Sequence, residues 1–487
     1  MALDDIRKTK IEKAKKLKEM GIDPYPSVSG KTHSIAEAIE GFDGFLSSKK
    51  ELTLAGRIMA LRAHGGSIFF DINDGSGKIQ AYIKEDVLGK DKFSTFVEFS
   101  DIGDFIEVTG SLFTTKKNEK TVQVVSFNIL SKALLPLPEK WHGLQDVEER
   151  FRKRYLDFIF NPEVKEKLHK RFKIIELLRT FFSKNGFLEV ETPVLQTLAG
   201  GATARPFKSH MNDLDIDLYM RVAPELFLKR LLVGGFERVF EIARNFRNEG
   251  MDREHNPEFD MLEAYAAYHD YEWMMNLVEE LMEFLSKDLF GKTEFEYLGK
   301  TINLKRPFKR IEFNSIIKEF SGLDYDKDGE KEFIAKAKKL GIKIDKKMSK
   351  AVIADEIYKK LARPGMIDPV FVINHPIELS PLTKKLPGNP EHVARFQLLI
   401  GGFEMMNAFS ELNDPLDQRE RFEGQEKLRK KGDEEAQRMD EDFIEALEYG
   451  MPPATGIGIG VDRLVVLLTN SHTLREILLF PLMKPVK

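Results

Sequence analysis

Near the end of the chain, glycine takes every second position of an apolar run, Gly456-Ile457-Gly458-Ile459-Gly460, and Val461-Asp462-Arg463 follows directly. Side chains alternate across a strand, so the pattern strips one face bare while isoleucine fills the other. A ligand, or another element, can then lie directly on the backbone. The spacing is Gly-x-Gly-x-Gly rather than Gly-x-Gly-x-x-Gly, and no acidic ribose anchor follows at the dinucleotide distance, which excludes a Rossmann turn. Alone, the run suits a strand packed tightly under a helix as well as it suits a binding floor. Residues 462–469 read as a helix, which puts Arg463 at a helix N-terminus, where dipole and guanidinium both favour phosphate.

A second arginine shifts that balance. Arg247 lies in Phe246-Arg247-Asn248-Glu249, and His255-Asn256-Pro257-Glu258-Phe259 comes shortly after. Residues 238–243 and 259–267 read as an antiparallel pair around a polar loop, with Arg247 opposite Phe259 and with Arg247 and Glu249 on one strand face. Two guanidiniums on separate elements with a phenylalanine between them suit a bent nucleoside triphosphate. One binds the α-phosphate, the other the γ-phosphate, and the ring stacks on the base. The chemistry implied is nucleotidyl transfer.

Three carboxylates, Glu225, Glu263 and Glu411, sit in otherwise apolar segments. Buried carboxylates are costly unless paired, so several converging ones call for a cation, either Mg²⁺ or a substrate ammonium. Glu404, seven residues before Glu411, is the better metal candidate, because one strand carries both on one side only with a bend between them.

Composition narrows the class. The chain has 487 residues, 32% of them charged, a net charge of −4 and no cysteine. Disulfides and Cys-ligated zinc are therefore excluded, and an intracellular, cytoplasmic protein without membrane spans or a signal peptide is expected. Residues 7–18 are strongly basic with apolar positions at helical spacing, which fits either a solvated helix or a contact to a phosphate backbone.

The domain reading is a basic N-terminal helix and linker (1–48), a β-rich domain (49–137), a linker (138–160) and one large domain (161–487) with a Lys-rich helical insertion at about 310–365. In the second unit, strands at 52–61, 68–72, 78–83, 105–113 and 121–130 with hairpin tips between them suggest a small closed barrel of the OB type. In the large domain, residues 164–184 form an amphipathic helix with Val164, Leu168, Phe172, Ile175, Leu178 and Phe182 on one stripe, ended by Asn185-Gly186. Lys347-Met348-Ser349-Lys350 is similar to a loop of class I synthetases, but no His-Ile-Gly-His-like partner exists, and the match is read as chance.

Taken together, Phe-Arg-Asn-Glu, His-Asn-Pro-Glu-Phe and the glycine run to Arg463 resemble motifs 2 and 3 of class II aminoacyl-tRNA synthetases, and the helix from Val164 with residues 187–193 resembles motif 1. The barrel marks the lysine, aspartate and asparagine subgroup. Gly-Gly-Ala-Thr-Ala-Arg-Pro-Phe (200–207), Ala-Pro-Glu-Leu, Phe-Ser-Glu-Leu-Asn-Asp and the terminal Leu-Phe-Pro-Leu-Met-Lys-Pro-Val-Lys resemble the bacterial-type lysyl-tRNA synthetases. The resemblance runs from the basic helix to the last residue.

The resemblance implies an α+β fold, a class II antiparallel sheet flanked by helices and preceded by an all-β OB barrel, in a homodimer. It implies formation of lysyl-adenylate from lysine and ATP with Mg²⁺, and transfer to the 3′ end of tRNA(Lys). Arg247 and Arg463 would then be catalytic. ATP would be held by these two with Glu249, His255, Asn256 and Phe259. Lysine would be held by Glu225, Glu263, Tyr265, Asn407, Phe409 and Glu411. Glu404 would carry Mg²⁺, while Gln397 stands where the family has a metal-binding glutamate. Phe403, Met405-Met406 and Asp260 also depart from the pattern. The barrel would read the anticodon, with Phe69 stacking on a base and Arg62 and Gln80 bonding to base edges. The rival within the subgroup, charging with aspartate or asparagine, needs a cation where this chain has Glu225 and Glu411.

Overall fold

The computed structural model describes residues 3–138, 144, 146–202, 204–345, 348–430 and 436–486. Thr203 of the 200–207 run, Lys347 of the class I-like match, positions 139–143 and 145 of the expected linker, and Lys487 lie outside them. The chain divides into two compact units, residues 1–145 and 146–487.

The first unit is built on a five-stranded closed barrel. Its strands are β1 (Leu52–His64), β2 (Ser67–Asn73), β3 (Lys78–Lys84), β4 (Phe105–Thr114) and β5 (Lys120–Ser131), in the order β1-β2-β3-β5-β4. Period-two patterning decides what fills it. Ile68, Phe70 and Ile72 point in with Ile79, Ala81 and Ile83, and Phe69 between them is only half-buried. Phe69 therefore faces outward, opposite Arg62 on β1 and Tyr82 on β3. Its ring lies 4.4 Å from the Tyr82 ring. The basic helix α1 (Leu3–Glu19) buries Lys10, Ala14 and Leu17. Lys13 pairs with Asp101 at 2.8 Å, so part of the basic stretch is engaged within its own unit.

In the second unit an eight-stranded sheet carries the site. Its strands are β6 (Leu188–Glu189), β7 (Arg238–Phe246), β8 (Glu258–Ala267), β9 (Lys309–Glu312), β10 (Val370–Ile373), β11 (Arg395–Ile400), β12 (Phe403–Ser410) and β13 (Ala454–Gly460). Their order is β9-β10-β11-β12-β13-β8-β7-β6, antiparallel except for the parallel outermost pairs. Helices α2 (Pro162–Lys184), α3 (Tyr271–Phe290) and α4 (Val461–Leu468) contribute Ile174, Leu178, Met274, Val278, Leu464 and Leu467 to the core against the sheet. The Lys-rich insertion holds helices at Phe313–Ser321, Glu330–Lys339 and Lys350–Leu361 around a separate small core.

Two expectations need correction. Of the expected α2 stripe, Val164, Leu168, Leu178 and Phe182 are buried and Ile175 packs against the core, but Phe172 is 47% exposed and Arg171, Ile174 and Phe181 are buried in addition. A charged residue, Arg171, takes the buried place beside Phe172: its guanidinium reaches Asp462 and Asp260, both at 2.6 Å. Secondly, β7 ends at Phe246, and Glu249 lies exposed in the following loop rather than on a strand face with Arg247. Phe259 pairs with Asn245, and the Arg247 amide donates to Pro257 O at 2.8 Å. The register is shifted by two, an even step, which leaves Arg247 and Phe259 on the same face.

Candidate active site

The glycine strand β13 lies between β8 and β12. Tyr265 and Phe409 flank Gly456, and Glu263 and Asn407 flank Gly458. The missing side chains leave a trough floored by backbone and walled by those four residues. It forms part of a cavity of about 350 Å³ whose lining also includes Glu225, Arg247, Phe259, Glu404 and Arg463. Gly456 is required sterically, since a Cβ there would overlap the Glu411 carboxylate and lie 2.6 Å from Tyr265 Cδ1.

One end of the trough is cationic and aromatic. The Arg247 guanidinium sits 5.0 Å from the Phe259 ring centroid, and its buried Nε has no hydrogen-bond partner. Arg463, in the first turn of α4, donates to Glu404 O at 3.0 Å and approaches His255 Nε2 at 3.3 Å. His255 is held in turn by Asp252 at 2.9 Å, and Asn256 donates to Glu258 O. Glu249 lines the same end.

The other end is acidic and buried. Glu225 opens helix α5 (Glu225–Val233, placed between β6 and β7 in the chain), and Glu411 follows β12. Lys229, one helical turn after Glu225, sits 2.6 Å from Glu225 Oε1 and 2.6 Å from Glu411 Oε2. Among the described residues neither Glu411 oxygen has a hydrogen-bond partner of good geometry, and Oε1 has no ion-pair partner either. Tyr265 donates to Glu263 at 2.9 Å. Burial pushes the Glu263 carboxyl up to about 8, with the Glu225 carboxylate adding to it. Burial also pushes the Glu411 carboxyl up to about 8, against the pull of Lys229. Buried carboxyls held this far above their usual range gain from an incoming cation.

The metal candidates separate. Glu404 lines the cavity, and a register shift at Met405 supplies the bend between it and the rest of β12. Gln397 is 5% exposed and does not line the cavity. Its Oε1 accepts from Tyr358 OH at 3.3 Å and faces His375 Nε2 at 3.3 Å. Among the described residues, no group of three or more acidic, His or Cys side chains is arranged to hold a metal.

Sequence reasoning passed over three residues. Lys229 had a signal, the i,i+4 acid–base spacing from Glu225. Arg395 donates to Asn407 Oδ1 at 2.8 Å and to Ser380 Oγ at 2.7 Å, which fixes the trough wall. Arg171 ties α2 to Asp260 and Asp462, the neighbours of Phe259 and Arg463. The Arg171 contacts join distant parts of the chain and leave no local pattern.

An antiparallel sheet with an arginine on each side of a glycine-floored trough, joined to a five-stranded barrel unit, defines a class of enzyme, and comparison with known proteins agrees. Residues 146–484 match the family described as tRNA synthetases class II (D, K and N), and residues 52–130 match the OB-fold nucleic acid binding domain. The chain belongs to that class II synthetase family. Among its relatives, the lysine–tRNA ligase of Carboxydothermus hydrogenoformans is 52% identical over 485 residues, covering 99% of each chain. The lysine–tRNA ligase of Thermotoga maritima is 45% identical, covering 100% of this chain and 97% of its own.

Proposed function

We propose that the chain activates lysine with ATP to lysyl-adenylate and passes the lysyl group to the 3′ end of tRNA(Lys) in the cytoplasm. The observation that carries this reading is the buried acidic end of the trough. Glu225 and Glu411 suit an ammonium at the reach of a lysine side chain, and a substrate lacking it would leave them uncompensated. Tyr265 and Phe409 flank that chain, Asn407 helps line it, and Glu263 takes the α-amino group.

ATP lies across the opposite end. Arg247 holds the α-phosphate, Arg463 the γ-phosphate and Phe259 the adenine ring, with Glu249, His255 and Asn256 around the nucleotide. The lysine carboxylate oxygen attacks the α-phosphorus in line. The bond from that phosphorus to the bridging oxygen breaks, and pyrophosphate leaves with the electron pair. The nucleophile is already ionised, so no general base is needed, and the two arginines supply position and charge. Mg²⁺ typically uses one or two carboxylates together with substrate phosphates, and Glu404 fits that demand. When bound it would neutralise phosphate charge. Gln397, spent on Tyr358 and His375, is left out of the metal site.

The barrel, within the proposed 49–137 domain, would bind the anticodon through its outer face. Phe69 stands ready to stack, with Arg62 across the strand and Gln80, which accepts from Thr121 at 3.0 Å. Phe69→Ala should weaken tRNA charging about tenfold or more while leaving adenylate formation unchanged, since base stacking contributes roughly 1–3 kcal/mol. Equal loss in both reactions would make Phe69 structural. Exposed Phe172 on α2 and Leu188 on β6 suit a second copy, consistent with a homodimer. No helix among the described residues is long and apolar enough to cross a membrane.

The test is ATP–pyrophosphate exchange with each of the twenty amino acids, without tRNA. Exchange with lysine alone is expected. Exchange with aspartate or asparagine would overturn the assignment of the acidic end.

A further inference from the structure

Lys229 is 0% exposed, which is rare for lysine unless it is paired. It stands behind the trough rather than in it. Its ammonium donates a hydrogen bond to Glu225 Oε1 at 2.6 Å, forms an ion pair with Glu411 Oε2 at 2.6 Å, and lies 5.3 Å from the Phe409 ring centroid. Glu411 Oε1 remains unpartnered, and Glu225 lines the cavity. The structure thus holds a lysine ammonium already seated between Glu225, which lines the cavity, and Glu411, which lies buried just behind the lining.

We infer that Lys229 is a resident counter-ion that sets the charge of the substrate-ammonium end and so acts as a specificity-determining positioning residue. This deepens the lysine-activating reading and rests on it. Once Glu411 is ionised, Glu225, Glu411 and the fixed ammonium carry a net charge of −1, which one substrate ammonium neutralises. Without the fixed cation, two converging buried carboxylates would keep a proton between them, as like charges at close range do. The substrate would then have to displace that proton.

The groups facing this point are Glu225 and Lys229 from α5, Glu411 after β12, Glu263 and Tyr265 from β8, Arg247 after β7 and Arg395 from β11. Burial works against the Lys229 ammonium, but Glu225 and Glu411 outweigh it and leave its pKa raised. It therefore stays charged wherever the carboxyls titrate. Deprotonated Glu411 binds a cation and protonated Glu411 does not, so affinity for lysine should rise with pH and level off above the carboxyl pKa. Removing Lys229 takes away the one charge that holds that pKa down, which moves the limb to higher pH.

The experiment is lysine-dependent ATP–pyrophosphate exchange by the full chain, from about pH 6.5 to about pH 9.5. It compares wild type, Lys229→Met, Glu411→Gln and the double variant. For Lys229→Met we expect the lysine KM at neutral pH to rise about 10²-fold and its acid limb to move up by about one pH unit or more, with the ATP KM unchanged. Glu411→Gln leaves Lys229 cancelling Glu225 and should also lose lysine. The double variant restores the net charge of −1 and should bind lysine better than either single variant, without the displaced limb. Matching pH profiles in wild type and Lys229→Met, or a double variant no better than Glu411→Gln, overturn the inference. Should Lys229→Met not fold, the double variant against Glu411→Gln decides alone. A wild type inactive with lysine would sink the lysine reading itself, which the variants do not touch.

Discussion

Arg247→Ala should lose lysine-dependent ATP–pyrophosphate exchange by about 10³-fold, roughly 4 kcal/mol of transition-state stabilisation, with the fold intact. The side chain is aimed rather than spent. Its guanidinium lies 5.0 Å from the Phe259 ring, and its Nε finds no hydrogen-bond partner among the described residues. Burial lowers its pKa, with Glu249 opposing, but a guanidinium so placed remains charged. A partly desolvated cation facing a cavity is stabilised when an anion arrives, most of all where negative charge grows during attack on the α-phosphorus. Loss should therefore fall on kcat as well as on the ATP KM, whereas the lysine KM should move little. The melting temperature should change by no more than a few degrees, because among the described residues no side-chain hydrogen bond or ion pair ties Arg247 to another element, its contact there being the Phe259 ring. Exchange close to wild type would remove Arg247 from the reaction and leave Arg463 as the sole phosphate-binding cation of the proposal.

Arg171 and Lys229 show where reading the sequence stops. The barrel strands were legible because period-two alternation and turn residues act locally, and the glycine strand followed by Arg463 was legible for the same reason. On α2 the spacing found most of the buried stripe but put Phe172 inside and Arg171 outside, because apolar spacing counts a buried arginine as solvent-facing. Asp260 and Asp462, which draw Arg171 inward at 2.6 Å, come from far along the chain. For Lys229 the i,i+4 spacing gave Glu225 as a partner, but Glu411, the second carboxylate that encloses it, comes from far along the chain. Strand pairing around Arg247 was off by two residues, yet the arginine kept its face because an even shift preserves side-chain direction. Gln397 was suggested for a metal by its place in a resemblance. Its environment, Tyr358 and His375, is set by how the insertion helix packs on β11, which no single segment encodes.

Gly456→Ala should impair the acidic end more than any other one-methyl change. The added carbon would overlap Glu411 and crowd Tyr265, with Phe409 across the strand on the other side. Both crowded side chains are buried, so they can yield only by leaving the geometry in which Glu411 meets Lys229 and Tyr265 meets Glu263. Overpacking of this kind costs about 1–3 kcal/mol, enough to lower the melting temperature by several degrees. The lysine KM should rise by about 10²-fold, because displacement of a buried carboxylate by even an ångström removes its bond to the substrate ammonium. Gly458→Ala is the control. Its nearest neighbour would be Met261 Sδ at 3.4 Å, an ordinary contact, so stability should hold while the methyl enters the open trough. The two variants should therefore separate in thermal melts but both show a raised lysine KM. If Gly456→Ala melted low yet kept a wild-type lysine KM, the paired carboxylates would be structural, and the substrate ammonium would have to be sought elsewhere along the trough.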